Sequence, residues 1–392
     1  MTSLIETSMF SAGDEDEAPV YYRTRKIFGR KIWYFRRYED VKYILNNPEI
    51  YSNQRAKIGL KWLERAYASY EFIEPSFVGK SLLFVDPPDH NRIRKVVNKA
   101  FTPNRMKALQ VYIHEVVDAL LDNLAMQSAG DILNDYAYPI AKSVVIKLLG
   151  FPAKDYHKLR LISQVQKRPQ YKLRNSLIYY RYARWVREVY AERAVDLGDD
   201  LLSMLIKGEK AGEISYDEAI QTYVFLAMGG FETTANFIGN AVLALLLHPE
   251  EMKKIKIGAG LTEKQLEELL RYCNLLSKPL TRWAIADGIV GGVEVNRGDV
   301  IIASLIGANH DPSTFDNANQ LDLKRTKNPH MAFGYGVHFC IGAPLARLEG
   351  KIALDSIIAR FPKLRLAVEP EELSKIPGWI VGALEELPVR WD

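Results

Sequence analysis

Hydrophobic positions recur through most of the chain at the three- and four-residue spacing of an amphipathic helix. This periodicity begins near Pro88, is interrupted at Pro103 and continues to about Met126, because a proline ends or kinks a helix unless it stands in the first turn. From there to Arg271 the pattern stays mostly helical. The sequence therefore predicts a mainly α-helical fold.

The longest helical run opens with a capping box. Ser215 and Glu218 stand three residues apart at its start, and the run ends at His248, before Pro249. A single helix over residues 215–248 is roughly 50 Å long at 1.5 Å per residue. We expect it to cross the whole domain.

Strand-like runs are short and lie towards the two ends of the chain. Ile27-Phe28 and Lys31–Phe35 flank Gly29-Arg30, which predicts a β-hairpin. A second hairpin is predicted around Gly291-Gly292, and a further strand over residues 300–304. Small β-sheets are therefore expected beside the helices.

Composition places the chain among globular proteins with a large core, since 48% of its 392 residues are hydrophobic and 26% are charged. No internal repeat, low-complexity linker or sharp change in composition divides it. We expect one domain over residues 1–392, with a β-rich lobe at about 20–60, a helical lobe at about 86–271 and a mixed hairpin and cysteine-loop region at about 280–392. Lys and Arg number 52 against 48 Asp and Glu, an excess too small for a dedicated nucleic-acid-binding protein.

Cysteine use and the N-terminal sequence indicate a soluble cytoplasmic protein. The chain has two cysteines, Cys273 and Cys340, so no framework of disulfides holds the fold together. The first twenty residues lack the basic and apolar regions of a signal peptide. The longest apolar runs, such as residues 224–231, are well short of the ~20 residues that cross a membrane. We therefore expect no membrane partner.

Cys340 lies in a glycine-rich loop between Phe333 and Pro344, directly before an amphipathic helical run. Pro344 suits the first helical turn, and the free N–H groups and positive dipole end of that helix would stabilise a thiolate. The glycines let the backbone pass close to a flat, bulky group, and a thiolate so placed suits haem iron. The loop alone leaves three alternatives: an inert buried cysteine, a phosphate-cradling loop, and a nucleophilic Cys340 with His338 as base.

Two adjacent glycines stand in the middle of the long helix. Gly229 and Gly230 each cost about 1 kcal/mol relative to alanine there, and they either open a groove for a ligand or allow close helix packing. Thr233 is placed to bond the carbonyl four residues earlier. Glu232 is a carboxylate in an apolar stretch, where we expect a paired, hydrated or functional charge, with a solvated helix face as the alternative.

Two pairs of charged residues have helical spacing. Glu268 and Arg271 are three apart, and taken alone they predict an exposed ion pair worth roughly 0.2–0.5 kcal/mol. His90 and Arg94 are four apart at the start of a helix, so both can approach one anionic group. Ordinary surface charge is the alternative for this second pair.

Together these segments resemble the cytochrome P450 family of haem-thiolate monooxygenases, and in particular its soluble bacterial-type members. The family's cysteine-loop pattern, Phe-x-x-Gly-x-His/Arg-x-Cys-x-Gly, is met at Phe333, Gly336, His338, Cys340 and Gly342. The resemblance runs over residues 34–388 and implies a mainly α fold with small β-sheets. In that fold a haem b lies between the long central helix and the cysteine loop with its following helix.

The resemblance implies roles on the cysteine side of the haem. Cys340 is expected to be the axial ligand of the haem iron, and Phe333 to pack near the sulfur. The residues expected to hold the haem propionates are cationic or ionisable donors, namely His90, Arg94, Arg282 and His338. The glycines expected to border the haem are Gly230, Gly336 and Gly342.

On the oxygen side, the family's small-Gly-x-acid-Thr motif falls on residues 229–233. Thr233 is expected to hydrogen-bond dioxygen, and Glu232 to help feed protons from solvent. Glu268, Arg271 and Arg325 are implied to form a buried structural triad. The sequence departs from the family pattern at His310, where arginine is usual, and after Arg271, where the usual proline is absent; Cys273 has no matching role and is expected to be a buried thiol.

No flavin or iron–sulfur motif is visible, so we expect electrons from a separate ferredoxin or flavodoxin-type donor. Basic residues on segments that flank the cysteine side predict a docking face for an acidic donor, with dispersed solubilising charge as the alternative. These residues are Arg92, Lys95, Lys99, Arg105, Lys107, Arg347 and Lys351.

Residues 167–187 combine basic and aromatic side chains without an acid, and in the resembled fold they form the lid of the substrate channel. We expect a solvated lid exterior or a site for an anionic substrate group, rather than a platform for single-stranded nucleic acid. The predicted pocket lining is apolar and comprises residues 63–77, Phe225, residues 276–280 and residues 379–380.

The sequence thus predicts a monooxygenase that oxidises a hydrophobic small molecule with O₂ and two electrons. Secondary metabolites, terpenoids and fatty acids all fit that description. A haem-thiolate gas or redox sensor and a cysteine hydrolase without haem are the alternatives. A peroxide-driven enzyme is disfavoured because the Glu232-Thr233 pair is present.

Overall fold

A computed structural model of the protein describes residues 20–24, 31–59, 79–155, 157–158, 172–255, 258–273, 280–376 and 383–392. Helices dominate these ranges. The α-helices are α1 (Tyr38–Asn46), α2 (Asp89–Asn98), α3 (Pro103–Ala125), α4 (Tyr138–Leu149), α5 (Lys172–Val195), α6 (Leu201–Lys210), α7 (Tyr216–Leu247), α8 (Pro249–Met252), α9 (Glu263–Cys273), α10 (Leu305–Asn309) and α11 (Ala343–Arg360). A π-helical turn, Ile132–Ala137, leads directly into α4.

Several helix ends follow from local sequence as predicted. At the start of α7 the Glu218 N–H donates to Ser215 Oγ at 3.3 Å, and the Ser215 N–H donates to Glu218 Oε2 at 2.7 Å, so the capping box is formed. Pro103 stands in the first turn of α3, where its missing N–H costs no hydrogen bond. The long central helix is thereby confirmed.

The strands are β1 (Val20–Thr24), β2 (Lys31–Phe35), β3 (Tyr51–Ser52), β4 (Ala129–Asp131), β5 (Leu280–Ala284), β6 (Gly288–Val290), β7 (Val293–Val295), β8 (Val300–Ala303), β9 (Arg365–Leu366), β10 (Lys375–Ile376), β11 (Ala383–Leu384) and β12 (Pro388–Arg390). The largest sheet has the order β1-β2-β8-β5-β3. Within it β2 and β8 are parallel, with Ile32 opposite Val300, and the other neighbours are antiparallel.

The two predicted hairpins have different outcomes. Gly291 and Gly292 have φ values of 58° and 81° and join β6 to β7, which confirms the second hairpin. In the first, β2 pairs with β1, which lies earlier than the predicted partner strand. The predicted strand at Ile27 and Phe28 and its turn at Gly29 and Arg30 lie outside the described residues.

Two hydrophobic clusters support the region of the cysteine loop. The larger unites α2 to α7 with α9 and α11, and in it α7 packs against α4, α9 and α11. The smaller joins the five-stranded sheet to α1 and α10. Helix α7 is long and apolar enough to cross a membrane, but 78% of its most apolar window is buried inside the protein, as expected of a core helix. The division into three lobes stays a prediction.

Candidate functional site

The cysteine loop is a tight backbone turn between the smaller core and α11. Gly336 has a φ of 71°, and a Cβ there would lie 2.5 Å from the backbone oxygen of Leu45, so this position requires glycine. The Cys340 N–H donates to the Phe333 oxygen at 2.9 Å and closes the loop. Helix α11 begins three residues after Cys340, with Pro344 in its first turn, as predicted.

The Cys340 side chain is exposed, yet enough protein surrounds it for burial to raise the pKa of its thiol. The backbone N–H groups of Gly342 and Ala343 and the charges of Arg94 and Arg347 act in the opposite direction and favour the thiolate. The N-terminus of α11 therefore favours the thiolate of Cys340, as predicted. In the protein chain alone, burial has the larger effect on the pKa of the thiol.

Four basic or ionisable side chains gather beside this loop. His90 is 1% exposed and its ring lies 4.3 Å from that of His338, centroid to centroid. Arg94 donates to the Val337 oxygen at 3.2 Å. Arg282 is 5% exposed and donates from Nη1 to the oxygen of Thr281 at 2.9 Å. For His90, the interpretation as ordinary surface charge is wrong.

One acid, Asp86, approaches this cationic cluster of His90, Arg94, Arg282 and His338. Its Oδ1 lies 4.0 Å from His338 Nε2. The same carboxylate accepts from the Asn53 N–H at 3.1 Å and pairs with Lys57 at 2.9 Å, so its charge is already shared. The positive charge of Arg94 and Arg282 is therefore not cancelled by Asp86.

Burial is the main cause of the pKa shifts in this cluster. Burial lowers the pKa of Arg282 to about 10. Burial and the charges of Arg282, His90 and Arg94 lower the pKa of His338 to about 2. His90 Nε2 is buried and has no hydrogen-bond partner among the residues that the structure describes. These groups are arranged for one or two carboxylates that come from outside the chain.

One face in the middle of α7 is only partly covered, although most of the helix is buried. Phe225, Gly229 and Thr233, four residues apart, are half-buried, and so are Leu226 and Gly230. A Cβ on Gly229 would meet a single atom, Phe225 Cζ, at 3.8 Å, so this glycine leaves open space beside the helix.

Gly230 has a different environment. A Cβ on Gly230, predicted to border the haem, would lie 3.2 Å from Val145 Cγ2, so close packing against α4 accounts for this glycine. The groove interpretation therefore applies to Gly229, and the packing interpretation applies to Gly230.

The acid and the hydroxyl on this helix are both held by hydrogen bonds. Thr233 Oγ1 donates to the Gly229 oxygen at 2.6 Å, as its spacing predicts. Glu232 is 8% exposed, so the alternative of a solvated helix face is wrong. Tyr138 Oη donates to Glu232 Oε2 at 3.1 Å, and Asn236 Nδ2 approaches the same oxygen at 3.4 Å. Glu232 therefore points towards the start of α4.

Glu268, Arg271 and Arg325 meet in the core. Glu268 and Arg271 are both fully buried, so the alternative of an exposed ion pair is wrong. Arg271 donates to both carboxylate oxygens of Glu268 at 2.8 Å, and Arg325 Nε donates at 2.9 Å. Nearby, burial and the charge of Arg271 lower the pKa of His310 to about 4. Cys273 is buried, as predicted.

Most of the predicted docking face is already paired with acids. Arg92 pairs with Glu218 at 2.7 Å and Lys99 with Glu213 at 3.0 Å, while Arg105 contacts Asp199. On α11, Arg347 pairs with Glu267 at 2.6 Å and Lys351 with Asp355 at 2.6 Å. Lys95 and Lys107 are exposed and have no ion pair among the described residues. The local excess of positive charge is therefore smaller than the sequence suggests.

Most aromatic side chains in the described part of the basic and aromatic segment are buried. Arg181, Arg184 and Arg187 are exposed on α5, as is the ring of Tyr180, whereas Tyr179, Tyr182 and Trp185 are buried. The buried rings offer no stacking platform for bases. Residues 167–171 lie outside the described residues, as do the predicted pocket segments 63–77, 276–279 and 379–380.

Comparison with known proteins decides the family. A family model described as Cytochrome P450 matches residues 260–379. A cytochrome P450 of Bacillus subtilis (strain 168) is 32% identical over 406 residues, which cover 100% of this chain and 98% of that protein. The chain belongs to the cytochrome P450 family. This P450 is of the bacterial type and, like its relatives, is a monooxygenase.

Solved structures agree with this P450 along its whole length. The structure of the Bacillus subtilis 168 bacillaene polyketide synthase cytochrome P450 PksS has a TM-score of 0.85 at 30% identity and covers 100% of this chain and 96% of its own. P450BioI, solved with hexadec-9Z-enoic acid ligated acyl carrier protein, has a TM-score of 0.84 at 31% identity, with 95% of both chains covered. The predicted mainly α fold with small sheets is confirmed.

The site residues of this P450 fit the haem-thiolate cofactor of the family. The cationic cluster supplies donors for carboxylates that the chain itself does not provide, and the unpartnered His90 Nε2 is one of them. Cys340 offers an exposed sulfur at the mouth of the loop. Sequence reasoning missed Asp86 and Tyr138; Asp86 was visible only as the residue before Pro87, and nothing in the sequence marked Tyr138.

Proposed function

We propose that this P450 binds haem b and oxidises a hydrophobic small molecule, with electrons from a separate donor protein. The observation that carries the proposal is the buried cationic cluster beside the exposed Cys340, since a thiolate and propionate-binding donors are the two things that haem b needs. When bound, the haem supplies the oxidising chemistry, in which O₂, two electrons and two protons yield water and one oxygen atom for the substrate.

On the cysteine side, Cys340 would ligate the iron and donate electron density to it. His90, Arg94, Arg282 and His338 would hold the propionates. Buried donors recognise carboxylates strongly, because water does not compete for their hydrogen bonds. Gly336 and Gly342 would keep the backbone close to the ring.

On the oxygen side, the Thr233 hydroxyl would turn its proton from the Gly229 oxygen, to which it donates here, towards dioxygen. Glu232 would pass protons inward from its buried position. Tyr138 donates to the Glu232 carboxylate at 3.1 Å and so holds it in one orientation. A relay needs such an orientation, because a proton moves only along a hydrogen bond of suitable length.

For the substrate, the half-buried stripe of Phe225, Leu226 and Gly229 on α7 offers an apolar surface with open space beside it. This supports a hydrophobic molecule of the secondary metabolite, terpenoid or fatty acid class. The relatives named for polyketide biosynthesis and for an acyl-carrier-protein complex fit the same range. The exposed Arg181, Arg184 and Arg187 on α5 would favour an anionic group or carrier beside the lid.

For the electron donor, Lys95 and Lys107 are the exposed cations of the predicted face that keep their charge unpaired among the described residues. We assign them to the docking of an acidic ferredoxin or flavodoxin-type protein in the cytoplasm. Reduction by such a donor should slow as salt rises, because exposed charges are screened. A rate that does not depend on ionic strength would remove this docking face.

The test is the absorption spectrum of purified, haem-supplied protein after reduction with dithionite and exposure to carbon monoxide. We expect a strongly red-shifted Soret band in the wild type and in Cys273→Ala, the matched control for the other cysteine. Cys340→Ser should lose this band. A band retained in Cys340→Ser would overturn the ligand assignment, and bound haem without turnover in the presence of a donor would contradict an oxygenase.

A further inference from the structure

Three charged or polar side chains from three separate elements meet beside the cysteine loop. Glu267 lies on α9, His330 on the segment before the loop and Arg347 on α11. His330 Nε2 lies 2.8 Å from Glu267 Oε2. Arg347 donates from Nε to Glu267 Oε1 at 2.6 Å and from Nη2 to Oε2 at 2.8 Å. These contacts tie the two helices to the loop.

The protonation of His330 follows from its second contact. The Ala332 N–H donates to His330 Nδ1 at 3.1 Å, so Nδ1 is an acceptor and carries no proton. The ring is then neutral, and its Nε2–H donates to Glu267. The His330 side chain is buried, so water does not replace either bond. His330 therefore adds no charge here and fixes the Glu267 carboxylate.

The fixed carboxylate in turn orients Arg347. Two parallel hydrogen bonds hold the guanidinium plane as a fork, which a single contact does not do. Its Cζ lies 4.5 Å from the centroid of the Phe333 ring, within the range of a cation–π contact. The oxygen of Phe333 accepts the Cys340 N–H at 2.9 Å. Arg347 is thus a positive charge held against the residue that touches the haem ligand.

Glu267 does not remove the effect of this charge. Its carboxylate stays ionised, because the hydrogen bonds from Arg347 and His330 outweigh burial and hold its pKa at about 2. Of the two members of the pair, the guanidinium is the one in contact with the loop, at the ring of Phe333, whereas the contacts of the carboxylate are with His330 and Arg347.

We propose that Glu267 and His330 position Arg347 as a fixed positive charge beside Cys340, and that this charge raises the reduction potential of the bound haem. The inference rests on the proposed haem-thiolate function. One-electron reduction adds a negative charge to the site, and a cation held close by stabilises the reduced state more than the oxidised one. Arg347 acts here through electrostatics and packing, not as part of a docking face, and Glu267 and His330 are positioning residues.

The test is the midpoint potential of the purified holoprotein, titrated with dithionite in the absence of substrate and donor protein. Arg347→Ala should shift the midpoint to a more negative value, and Arg347→Lys should shift it less, because it keeps the charge and loses the fork. Lys363→Ala is the matched control, since it removes an exposed cation beyond the C-terminal end of α11, at the opposite end of that helix from the loop, and its midpoint should equal that of the wild type.

The positioning role is tested without any change of charge. His330→Ala should shift the midpoint in the same direction as Arg347→Ala, because Glu267 loses its orienting donor. His330→Gln should restore the wild-type value, since its amide both donates to Glu267 and accepts from the Ala332 N–H. Should Arg347→Ala fail to retain haem, Arg347→Lys and His330→Ala carry the test.

Two results would overturn the inference. If Arg347→Ala has the wild-type midpoint, the charge of Arg347 is not coupled to the haem. If that variant does not retain haem, wild-type midpoints in both Arg347→Lys and His330→Ala lead to the same conclusion. The same shift in His330→Gln as in His330→Ala would show that the hydrogen bonds do not position Arg347. A wild type without the red-shifted carbon monoxide band would instead refute the proposed function, so the two failures are distinct.

Discussion

The buried acid Glu268 lets the energetics of this fold be tested directly. Its carboxylate accepts from Arg271 Nε and Nη2 at 2.8 Å each and from Arg325 Nε at 2.9 Å. It also accepts from Asn328 Nδ2 at 3.2 Å and from the Asp322 N–H at 3.0 Å. Glu268 is 0% exposed, so water cannot replace its carboxylate as the acceptor for these donors.

Glu268→Gln keeps the shape and removes the charge. Breaking a buried ion pair by loss of one partner costs ~3–5 kcal/mol, because the remaining charge stays buried. Arg271 Nη1 also donates to the oxygens of Asn309 and Ala318, at 2.9 and 2.6 Å, so part of its solvation survives the substitution. We therefore expect a loss near the lower limit, ~3 kcal/mol.

Glu250→Gln is the control, because it breaks a pair of the same i,i+3 spacing at the surface. Glu250 and Lys253 are 2.6 Å apart with side chains 79% and 70% exposed. Such a pair contributes less than ~0.5 kcal/mol. The contrast between the two variants isolates the effect of burial from that of charge and spacing.

The assay is urea unfolding of the haem-loaded protein followed by far-UV circular dichroism. The midpoint for Glu268→Gln should fall several times further than that for Glu250→Gln. Equal shifts would refute the argument that burial makes the Glu268 contacts strong. If Glu268→Gln does not accumulate as folded protein, Asn328→Ala removes a single hydrogen bond to the same carboxylate and should cost ~1–2 kcal/mol.

Three further predictions concern the oxygen side and the surface. Thr233→Ala should lower the product formed per electron pair on the order of tenfold, the equivalent of one hydrogen bond, and release the balance as hydrogen peroxide; an unchanged product ratio would contradict the role. Tyr138→Phe removes one hydrogen bond from the Glu232 carboxylate and should lower kcat roughly tenfold and raise the solvent isotope effect at unchanged KM, whereas wild-type values would show that Tyr138 does not hold the acid. The hydrogen bond from Arg92 lowers the pKa of Glu218 from 4.5 to about 2, so its contribution to stability is present above pH 4.5 and is lost as the pH falls towards 2. In Glu218→Gln the melting temperature should therefore fall less steeply in that acid range, and parallel curves would argue against this assignment.

Local signals in the sequence were enough to predict the secondary-structure elements and to locate two motifs, the cysteine loop and the segment at residues 229–233. The capping box at Ser215, the Gly291-Gly292 turn and the cysteine loop each depend on a few consecutive residues, whose backbone preferences decide the outcome. The family resemblance added which of these segments meet. The five-stranded sheet was less accessible, because the strand that pairs with β2 is β1 at residues 20–24, whereas the local pattern placed the partner strand at Ile27 and Phe28.

Partners that are far apart in sequence explain what was missed. Tyr138 and Glu232 are 94 residues apart, and Arg92 and Glu218 are 126 apart. No spacing in a single sequence pairs such residues. The unpaired positive charge of the docking face was overestimated for the same reason. Its basic residues are visible in one segment, and the acids that neutralise them come from another.

Because β2 pairs with β8, this part of the sheet can form only after residues 300–303 have been synthesised. The Lys31 backbone N–H donates to Asp299 Oδ1, 268 positions later in the sequence, and the ribosome takes roughly 15–50 s to span that interval at ~5–20 residues per second. During synthesis Trp33 and Phe35 therefore leave the exit tunnel long before the strand that covers them exists. A chain that ends before residue 300 lacks β8 and leaves one edge of β2 open, and an open strand edge is a template for pairing with other chains.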